Sequence, residues 1–234
     1  MTTAITIWMT LGDGRRAATT PLFTTTLTAM ASVLRTVCGV LALAVANIVV
    51  GRLITGPLRD LPTEHRATAD LRRVGGRGAD DVAQAVSRSS DTSRAITLGL
   101  ALTGLLQTRG QRWQAAAPGL AMAMASATHV TASSLVGRER PAGERRGTEQ
   151  PTSSFPSGHV GAMTALAVVL GRIASPLPAP ARFAVRSALV GYLGLLGWSR
   201  VHNGQHYPSD VAAGYVNGVV CGRLAWTAVH GSGR

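Results

Sequence analysis

Lysine is absent from this sequence of 234 residues, and arginine supplies all 23 basic side chains. Aromatic residues are also scarce, at 4% of the chain against 46% for all hydrophobic residues. The formal net charge of +12 would favour nucleic-acid binding if the chain were soluble. The arginines, however, lie between apolar stretches, and no cluster of aromatic residues accompanies them for stacking on bases. We therefore expect no nucleic-acid partner.

Cysteine is scarce as well, and both Cys38 and Cys221 lie within apolar stretches. A lone buried thiol usually behaves as a small hydrophobe, so we expect neither a disulfide framework nor a cysteine-based metal site. The N-terminus has no small-residue cleavage pattern at the usual distance after Arg15 and Arg16. We therefore interpret it as a retained anchor and not as a signal peptide.

Apolar segments recur along the chain, although few of them are long. They run approximately over Ala31–Leu53, Ala95–Thr108, Trp113–Val136, His159–Ile173, Phe183–Trp198 and Val211–Val229. A membrane-spanning helix needs about 20 predominantly apolar residues, so each segment alone would also fit a buried soluble helix. Together they favour a tight bundle, because short loops join most of them and small residues allow close helix packing. The prediction is an all-α polytopic membrane bundle with about six transmembrane helices.

The domain organisation follows from these segments. An N-terminal segment at 1–30 precedes a single membrane domain at 31–230, whose catalytic core lies at about 113–229. A polar loop at about 56–94 interrupts this domain, and the sequence does not decide whether it is disordered or forms a surface helix.

Arginines in the short loops predict the orientation of the bundle. Arg109, Arg112 and Arg182 would be cytoplasmic, with Arg15 and Arg16 on the same side. The opposite ends of the helices would then lie on the extracytoplasmic face of the cell membrane.

Three polar stretches fall at the ends of the apolar segments, at Gly137–Pro141, Phe155–His159 and Ser199–Asp210. The first two share one loop, and the third follows two membrane crossings later. All three would therefore emerge on the same face. Ionisable residues at membrane depth are costly, so their convergence predicts a functional site.

The residue types in these stretches suit a phosphoryl group. Arg140 and Arg200 carry planar, permanently charged forks that bind phosphate through two hydrogen bonds. Ser157 is a candidate N-cap, and Gly158 allows the backbone to approach a ligand. The free N–H groups of that helix terminus would bind a phosphate oxygen.

Two histidines and an aspartate complete the candidate chemistry. A carboxylate at Asp210 would fix the tautomer of His206 and leave its other ring nitrogen free to attack phosphorus. His159 would act as the general acid. His206 with Asp210 would equally fit a structural hydrogen bond, and the Ser-Gly-His stretch an ordinary helix start. A zinc site is disfavoured because the nearby arginines would repel a cation, so we expect no metal and no cofactor.

The remaining histidines carry weaker signals. His202 lies inside the third stretch and is a candidate to line the pocket. His129 lies within an apolar segment, where an interhelical hydrogen bond is the expected role. His65 and His230 are expected at the surface.

At these residues the sequence resembles the type 2 phosphatidic acid phosphatase family, whose superfamily includes class A acid phosphatases and vanadium haloperoxidases. The family pattern reads Lys-x6-Arg-Pro, then Pro-Ser-Gly-His, then Ser-Arg-x5-His-x3-Asp. The second part matches at Pro156–His159 and the third at Ser199–Asp210. In the first part Arg140 is present, but Ser133 stands in place of the lysine. We predict that Arg138 compensates, with Arg145 and Arg146 as weaker candidates.

The resemblance implies a metal-independent lipid phosphatase that forms a phosphohistidine intermediate at His206. Asp210 would orient the nucleophile and His159 would be the acid. Phosphate would be held by Arg140, Arg200, Ser157 and Gly158. Membrane members of the family act on phosphatidic acid or on polyprenyl phosphates and diphosphates such as undecaprenyl diphosphate.

Two alternatives remain open at this point. One is a weak or inactive homologue that binds lipid phosphate. The presence of Ser133 in place of the lysine favours this alternative. The other is a vanadate-dependent haloperoxidase, which the short, membrane-like chain disfavours. The sequence decides neither the lipid nor the oligomeric state.

Overall fold

The computed structural model describes residues 3–58, 61–147 and 150–231, with the backbone alone described at 3–25, 27, 29 and 231. The side chains of Arg15 and Arg16, which entered the predicted orientation, lie outside the described part. The described segments form helices and contain no strand, so the all-α prediction is confirmed. The helices are α1 (Thr3–Thr55), α2 (Pro62–Arg73), α3 (Gly76–Ser89), α4 (Thr92–Thr108), α5 (Arg112–Val136), α6 (Gly158–Ile173), α7 (Ala179–His202) and α8 (Pro208–Gly231).

The polar segment at 56–94 forms the two short helices α2 and α3 and the first turn of α4. Pro62 begins α2, where a missing backbone N–H costs no helical hydrogen bond. Glu64 lies in the first turn of the same helix, where a negative charge interacts favourably with the positive end of the helix dipole. The segment is therefore helical, and its helices pack on the end of α7.

Helices α5, α6 and α8 form the centre of the bundle. Gly214, Gly218 and Gly222 recur every fourth residue on α8 and therefore share one face of it. A Cβ atom at Gly218 would lie 2.5 Å from the Gly161 carbonyl oxygen of α6, and one at Gly222 would lie 2.8 Å from the Ala165 carbonyl oxygen. The absence of side chains at these positions lets the two backbones touch.

We expect Gly218→Val to destabilise the bundle by about 3 kcal/mol, because the added side chain must separate α6 from α8. Thermal unfolding of the detergent-solubilised chain measures the loss. Gly191→Val on α7 is the matched control, since a Cβ at Gly191 meets no atom within 4 Å. Equal melting temperatures for the two variants would contradict this packing.

One polar cluster crosses the apolar core. Thr128 of α5 donates to the Asn217 Oδ1 of α8 at 2.6 Å, and Asn217 Nδ2 donates to the Ala125 carbonyl at 2.9 Å. Asn47 of α1 also donates to Asn217 Oδ1, at 3.4 Å. Because each buried amide has a partner, the cluster fixes the register of three helices without an unsatisfied polar group.

The chain order places the predicted motifs at one end of the bundle. Helix α5 ends there at Val136, α7 ends at His202, and α6 and α8 begin there. The turns between α4 and α5 and between α6 and α7 lie at the opposite end. Among the described residues, one helical stretch, Met30–Thr55, is by itself both long and apolar enough to cross a membrane. The count of six spans stays a prediction.

Candidate active site

The three polar stretches meet around one cavity of about 630 Å³. Its polar end is lined by Arg140 of the first stretch, Gly158 and His159 of the second, and His206 of the third. His129 of α5 lines the same end. The structure thus brings together residues that are far apart in the sequence, as the topology predicts.

His206 is buried in the loop between α7 and α8 and has a defined ring orientation. Its Nδ1 lies 2.8 Å from the backbone carbonyl oxygen of Ser154. Because a carbonyl only accepts, Nδ1 carries the proton and Nε2 carries the free electron pair. Burial lowers the pKa of His206 well below its usual value, and the charges of Arg200 and Arg140 lower it further. The ring is therefore neutral, the form that a nucleophile requires.

Asp210 lies close to His206, but its pairing with the ring is indirect. The shortest separation joins His206 Nδ1 to Asp210 Oδ2 at 3.8 Å, beyond hydrogen-bond length. Asp210 Oδ2 instead accepts from the Ser154 hydroxyl and, at 2.8 Å, from the Tyr207 backbone N–H. The carboxylate thus fixes both the residue that accepts from Nδ1 and the backbone next to His206.

Arg138 does not take the place of the missing lysine, and this prediction is corrected. Its guanidinium is almost fully buried and lies 2.6 Å from Asp210 Oδ1 and 3.0 Å from Glu64 Oε2. It also donates to the Ser209 hydroxyl at 2.7 Å. Two carboxylates therefore hold this cation, which anchors Asp210 and does not line the cavity.

Arg140 lines the cavity while backbone oxygens hold its guanidinium. NH1 donates to the Gln205 carbonyl at 2.7 Å, and NH2 donates to the Thr152 carbonyl at 3.0 Å. These acceptors carry no charge of their own, so the guanidinium can still attract an anion in the cavity.

Arg200 is the second cation near His206, although it is not among the residues that line the cavity. Its NH1 donates to the Ser87 hydroxyl of α3 at 2.7 Å. Its Nε and NH2 are buried and have no hydrogen-bond partner among the described residues. A buried guanidinium with unsatisfied N–H groups is costly unless an anion meets it. The arrangement therefore suits an oxyanion beside His206.

The start of α6 supplies backbone donors. Ser157 occupies the N-cap position, as predicted, but its hydroxyl makes no capping bond. The buried Ser157 Oγ has no hydrogen-bond partner among the described residues. Gly158 follows at the first helical position, where the backbone N–H has no partner within the helix. Gly158 lines the cavity and Ser157 does not, so the backbone amide donors of this terminus are the groups that face an anion there.

Ser133 is used in the structure to hold the loop before α6. Its hydroxyl accepts from the Ser153 backbone N–H at 2.9 Å and lies 3.1 Å from the Ser153 hydroxyl. The serine is buried. It therefore positions the loop and adds no charge to the site.

His202 does not line the cavity, in contrast to the expectation from the sequence. Its Nε2 lies 2.9 Å from Asp80 of α3, and its Nδ1 lies 3.0 Å from the Leu71 carbonyl of α2. Arg200 and His202 lie two positions apart on α7, and both contact α3, Arg200 at Ser87 and His202 at Asp80. His202 fastens α2 and α3 over the site.

Three residues that support the site belong to none of the sequence motifs. Glu64 accepts from the Ser209 backbone and hydroxyl and pairs with Arg138. Ser87 holds Arg200, and Ser154 provides the acceptor for His206. Glu64 and Ser87 lie in the segment at 56–94. Within it, Pro62 and Glu64 indicate the start of a helix, but nothing in the sequence indicates that this helix contacts the site.

The other end of the cavity is apolar. It continues from His159 along a groove between α4 and α5 that is lined mainly by small or aliphatic residues. These are Ala95, Ile96, Gly99, Leu100, Thr103, Gly119, Met122, Ala123, Ser126 and Val130. From His129 to Gly119 the groove follows ten residues of α5, or about 15 Å. One cavity therefore joins a cationic end to an apolar channel.

Comparisons with known proteins agree with this geometry. A family model described as the PAP2 superfamily matches residues 114–234. Two curated proteins from Mycobacterium tuberculosis strains, each named decaprenylphosphoryl-5-phosphoribose phosphatase, are 37% identical over 130 residues. The matched region covers 53% of this chain and 67% of theirs.

Two solved structures share the fold. A transmembrane PAP2-type phosphatidylglycerolphosphate phosphatase from Bacillus subtilis matches with a TM-score of 0.67 and 18% identity, over 82% of this chain and 93% of its own. LpxE from Aquifex aeolicus matches with a TM-score of 0.53 and 19% identity, over 69% of this chain and 93% of its own.

Proposed function

The chain belongs to the PAP2 superfamily, and from this membership we propose that it is a membrane-embedded phosphatase that removes phosphate from a polyprenyl-type lipid. The observation that carries the proposal is the single cavity that joins Arg140, His159 and His206 to the apolar groove between α4 and α5. A phosphate group fits the first end, and an isoprenoid or acyl chain fits the second. A soluble phosphate ester would leave the groove exposed to water.

The outer surface supports a position in the membrane. Large apolar side chains are exposed on α1, α4 and α7, including Leu34, Leu41, Leu100, Phe183 and Val190. A soluble monomer rarely exposes so many large apolar side chains on several helices, whereas lipid tails solvate them. We propose that the site end of the bundle faces the extracytoplasmic side, because both short turns at the other end carry or adjoin arginine.

The proposed mechanism uses the neutral ring of His206. Its Nε2 attacks phosphorus, the P–O bond to the ester oxygen of the substrate breaks, and His159 gives a proton to the leaving oxygen. Water then attacks the phosphohistidine while His159 takes up one of its protons, and the P–N bond breaks to release inorganic phosphate. Arg140, Arg200, Ser157 and the Gly158 backbone bind the equatorial oxygens during both transfers.

The lipid class rests on the named relatives. They are decaprenylphosphoryl-5-phosphoribose phosphatases, whose name specifies a phosphomonoester on a polyprenyl phosphoryl sugar. We propose that this chain acts on the same class in preference to phosphatidic acid or undecaprenyl diphosphate.

Phosphate release by the purified full chain in detergent and EDTA tests the proposal. We expect turnover of decaprenylphosphoryl-5-phosphoribose to exceed that of phosphatidic acid and undecaprenyl diphosphate by about tenfold or more, which is about 1.4 kcal/mol of discrimination. A preference for phosphatidic acid would contradict the proposed lipid class but not the proposed phosphatase activity. Loss of activity in EDTA would overturn metal independence. No turnover on any lipid would favour a binding role.

A further inference from the structure

We propose that His129 binds the substrate phosphate as an imidazolium and thereby replaces the cation that Ser133 leaves out. This inference rests on the proposed function and names a further phosphate-binding residue for it. Four observations carry it: the position of His129, the direction of side chains on α5, the contact of its Nδ1 and the charges around it.

His129 lies where the phosphate would bind. It lines the cavity together with Arg140, His159 and His206. Its ring packs directly on the backbone of Gly158, where an added Cβ atom would lie 2.8 Å from Nε2 and 2.7 Å from Cδ2. The N-terminal N–H groups of α6 and the ring of His129 therefore border the same space.

The direction of side chains on a helix relates His129 to Ser133. The two residues are four positions apart on α5, and they therefore lie on one face, about one turn from each other. Side chains on a helix lean toward its N-terminus, so a long side chain at 133 would extend over the turn that contains 129. The ammonium of a lysine at 133 would thus reach the region that the His129 ring occupies.

The contact of Nδ1 leaves one atom of the ring for a ligand. His129 Nδ1 lies 2.8 Å from the Pro156 carbonyl oxygen, which accepts its proton. Nε2 is therefore the atom that meets phosphate, and it donates a hydrogen bond only when the ring is protonated. In the neutral ring the Nε2 electron pair would face the phosphate oxygens and repel them.

The charges that face His129 determine its pH behaviour. Three of these groups line the cavity with His129: Arg140 of the loop after α5, His159 of α6 and His206 of the loop after α7. Two more lie next to His206, namely Arg200 at the end of α7 and Asp210 of α8. Without an anion, the cations among them oppose a further positive charge. A bound phosphate dianion reverses the local field and favours the proton on Nε2.

The sign of the pH dependence follows from this coupling. The proton on His129 is held more tightly in the phosphate complex than in the free protein, so protonation and phosphate binding favour each other. Affinity for phosphate is therefore full at low pH and is lost as the pH rises. A lysine at the same place would stay charged and would show no such loss between pH 6 and about 8.

The test compares variants of the full chain in detergent, with steady-state kinetics on the lipid phosphate and binding of inorganic phosphate as separate readouts. We expect His129→Ala to raise KM and the Kd for inorganic phosphate by about tenfold or more, with kcat changed less than about threefold. His129→Lys should retain affinity and remove its decline at alkaline pH. Ser133→Lys in the His129→Ala background should restore affinity, and His230→Ala, at the other end of the bundle, should match the wild type.

A purely structural role makes different predictions. His129→Asn can still donate a hydrogen bond to the Pro156 carbonyl but carries no charge. Wild-type affinity and pH profile in His129→Asn would overturn the proposal, as would unchanged phosphate affinity in a folded His129→Ala. The phosphate-binding readout needs no turnover. If the wild type hydrolyses no lipid but binds inorganic phosphate in this pH-dependent way, the proposed function fails while the role of His129 stands.

Discussion

His206→Ala is expected to reduce phosphate release by about 10⁴-fold or more, because the substitution removes the atom that attacks phosphorus. The structure gives the physical reason for this choice of residue. The Ser154 carbonyl holds the Nδ1 proton, and burial beside Arg140 and Arg200 keeps the ring neutral with Nε2 free. Steady-state rates of wild type and variant on the best lipid measure the loss.

Trapping of the intermediate distinguishes a nucleophile from a merely structural histidine. Wild-type protein quenched during turnover should carry a phosphoryl group that is labile in acid and stable in alkali, as expected for a P–N bond. His206→Ala should carry none at matched protein concentration. Turnover within tenfold of wild type in a folded His206→Ala would refute the assignment, and so would an undiminished phosphoenzyme.

The helices of the bundle were predictable because their apolar segments are bounded by polar residues. The predicted segment Trp113–Val136 corresponds to α5 (Arg112–Val136), and His159–Ile173 corresponds to α6 (Gly158–Ile173). The segment Phe183–Trp198 was too short at both ends of α7. At its C-terminal end the reason is that the last turn carries polar residues that pack on α2 and α3. The spacing of apolar residues along the sequence does not predict such polar contacts between helices.

The candidate site was predictable where its residues share a motif and a face of the bundle. The contacts that orient them were not, because they join residues distant in sequence. Glu64 and Arg138 are 74 positions apart, and nothing in either local sequence indicates their pairing. The position of Arg138, two residues before Arg140, suggested that it is a second phosphate ligand. The buried carboxylate of Asp210, however, requires a compensating positive charge, and Arg138 supplies it.

The indirect link between His206 and Asp210 shows the same limit. A motif with histidine and aspartate four residues apart predicts a direct hydrogen bond, and the carboxylate does lie within 3.8 Å of the ring. The backbone of Ser154, in another part of the chain, is better placed to accept from Nδ1. Motif spacing specifies residue types and leaves open which atom completes each contact.

Arg200→Lys is expected to lower kcat/KM by about 100-fold or more, since lysine keeps the charge but loses the planar fork. In the structure one N–H group of Arg200 binds Ser87, while Nε and NH2 are buried and without a partner among the described residues. A single ammonium cannot both reach Ser87 and present two parallel donors to a phosphoryl oxygen. Ser87→Ala is the matched control, because it removes the support and keeps the fork, and its loss should stay below about tenfold.

Thermal stability in the presence of inorganic phosphate completes the test of Arg200. A ligand that binds only the folded state raises the melting temperature according to its concentration and affinity. We expect inorganic phosphate to stabilise the wild type and Ser87→Ala, and to leave Arg200→Lys nearly unchanged. If Arg200→Lys gains the same stabilisation and retains wild-type kinetics, the unpaired N–H groups do not meet the phosphate. The cationic end of the cavity would then depend on Arg140, the α6 terminus and His129, and phosphate affinity should become more strongly dependent on pH than in a site held by two arginines.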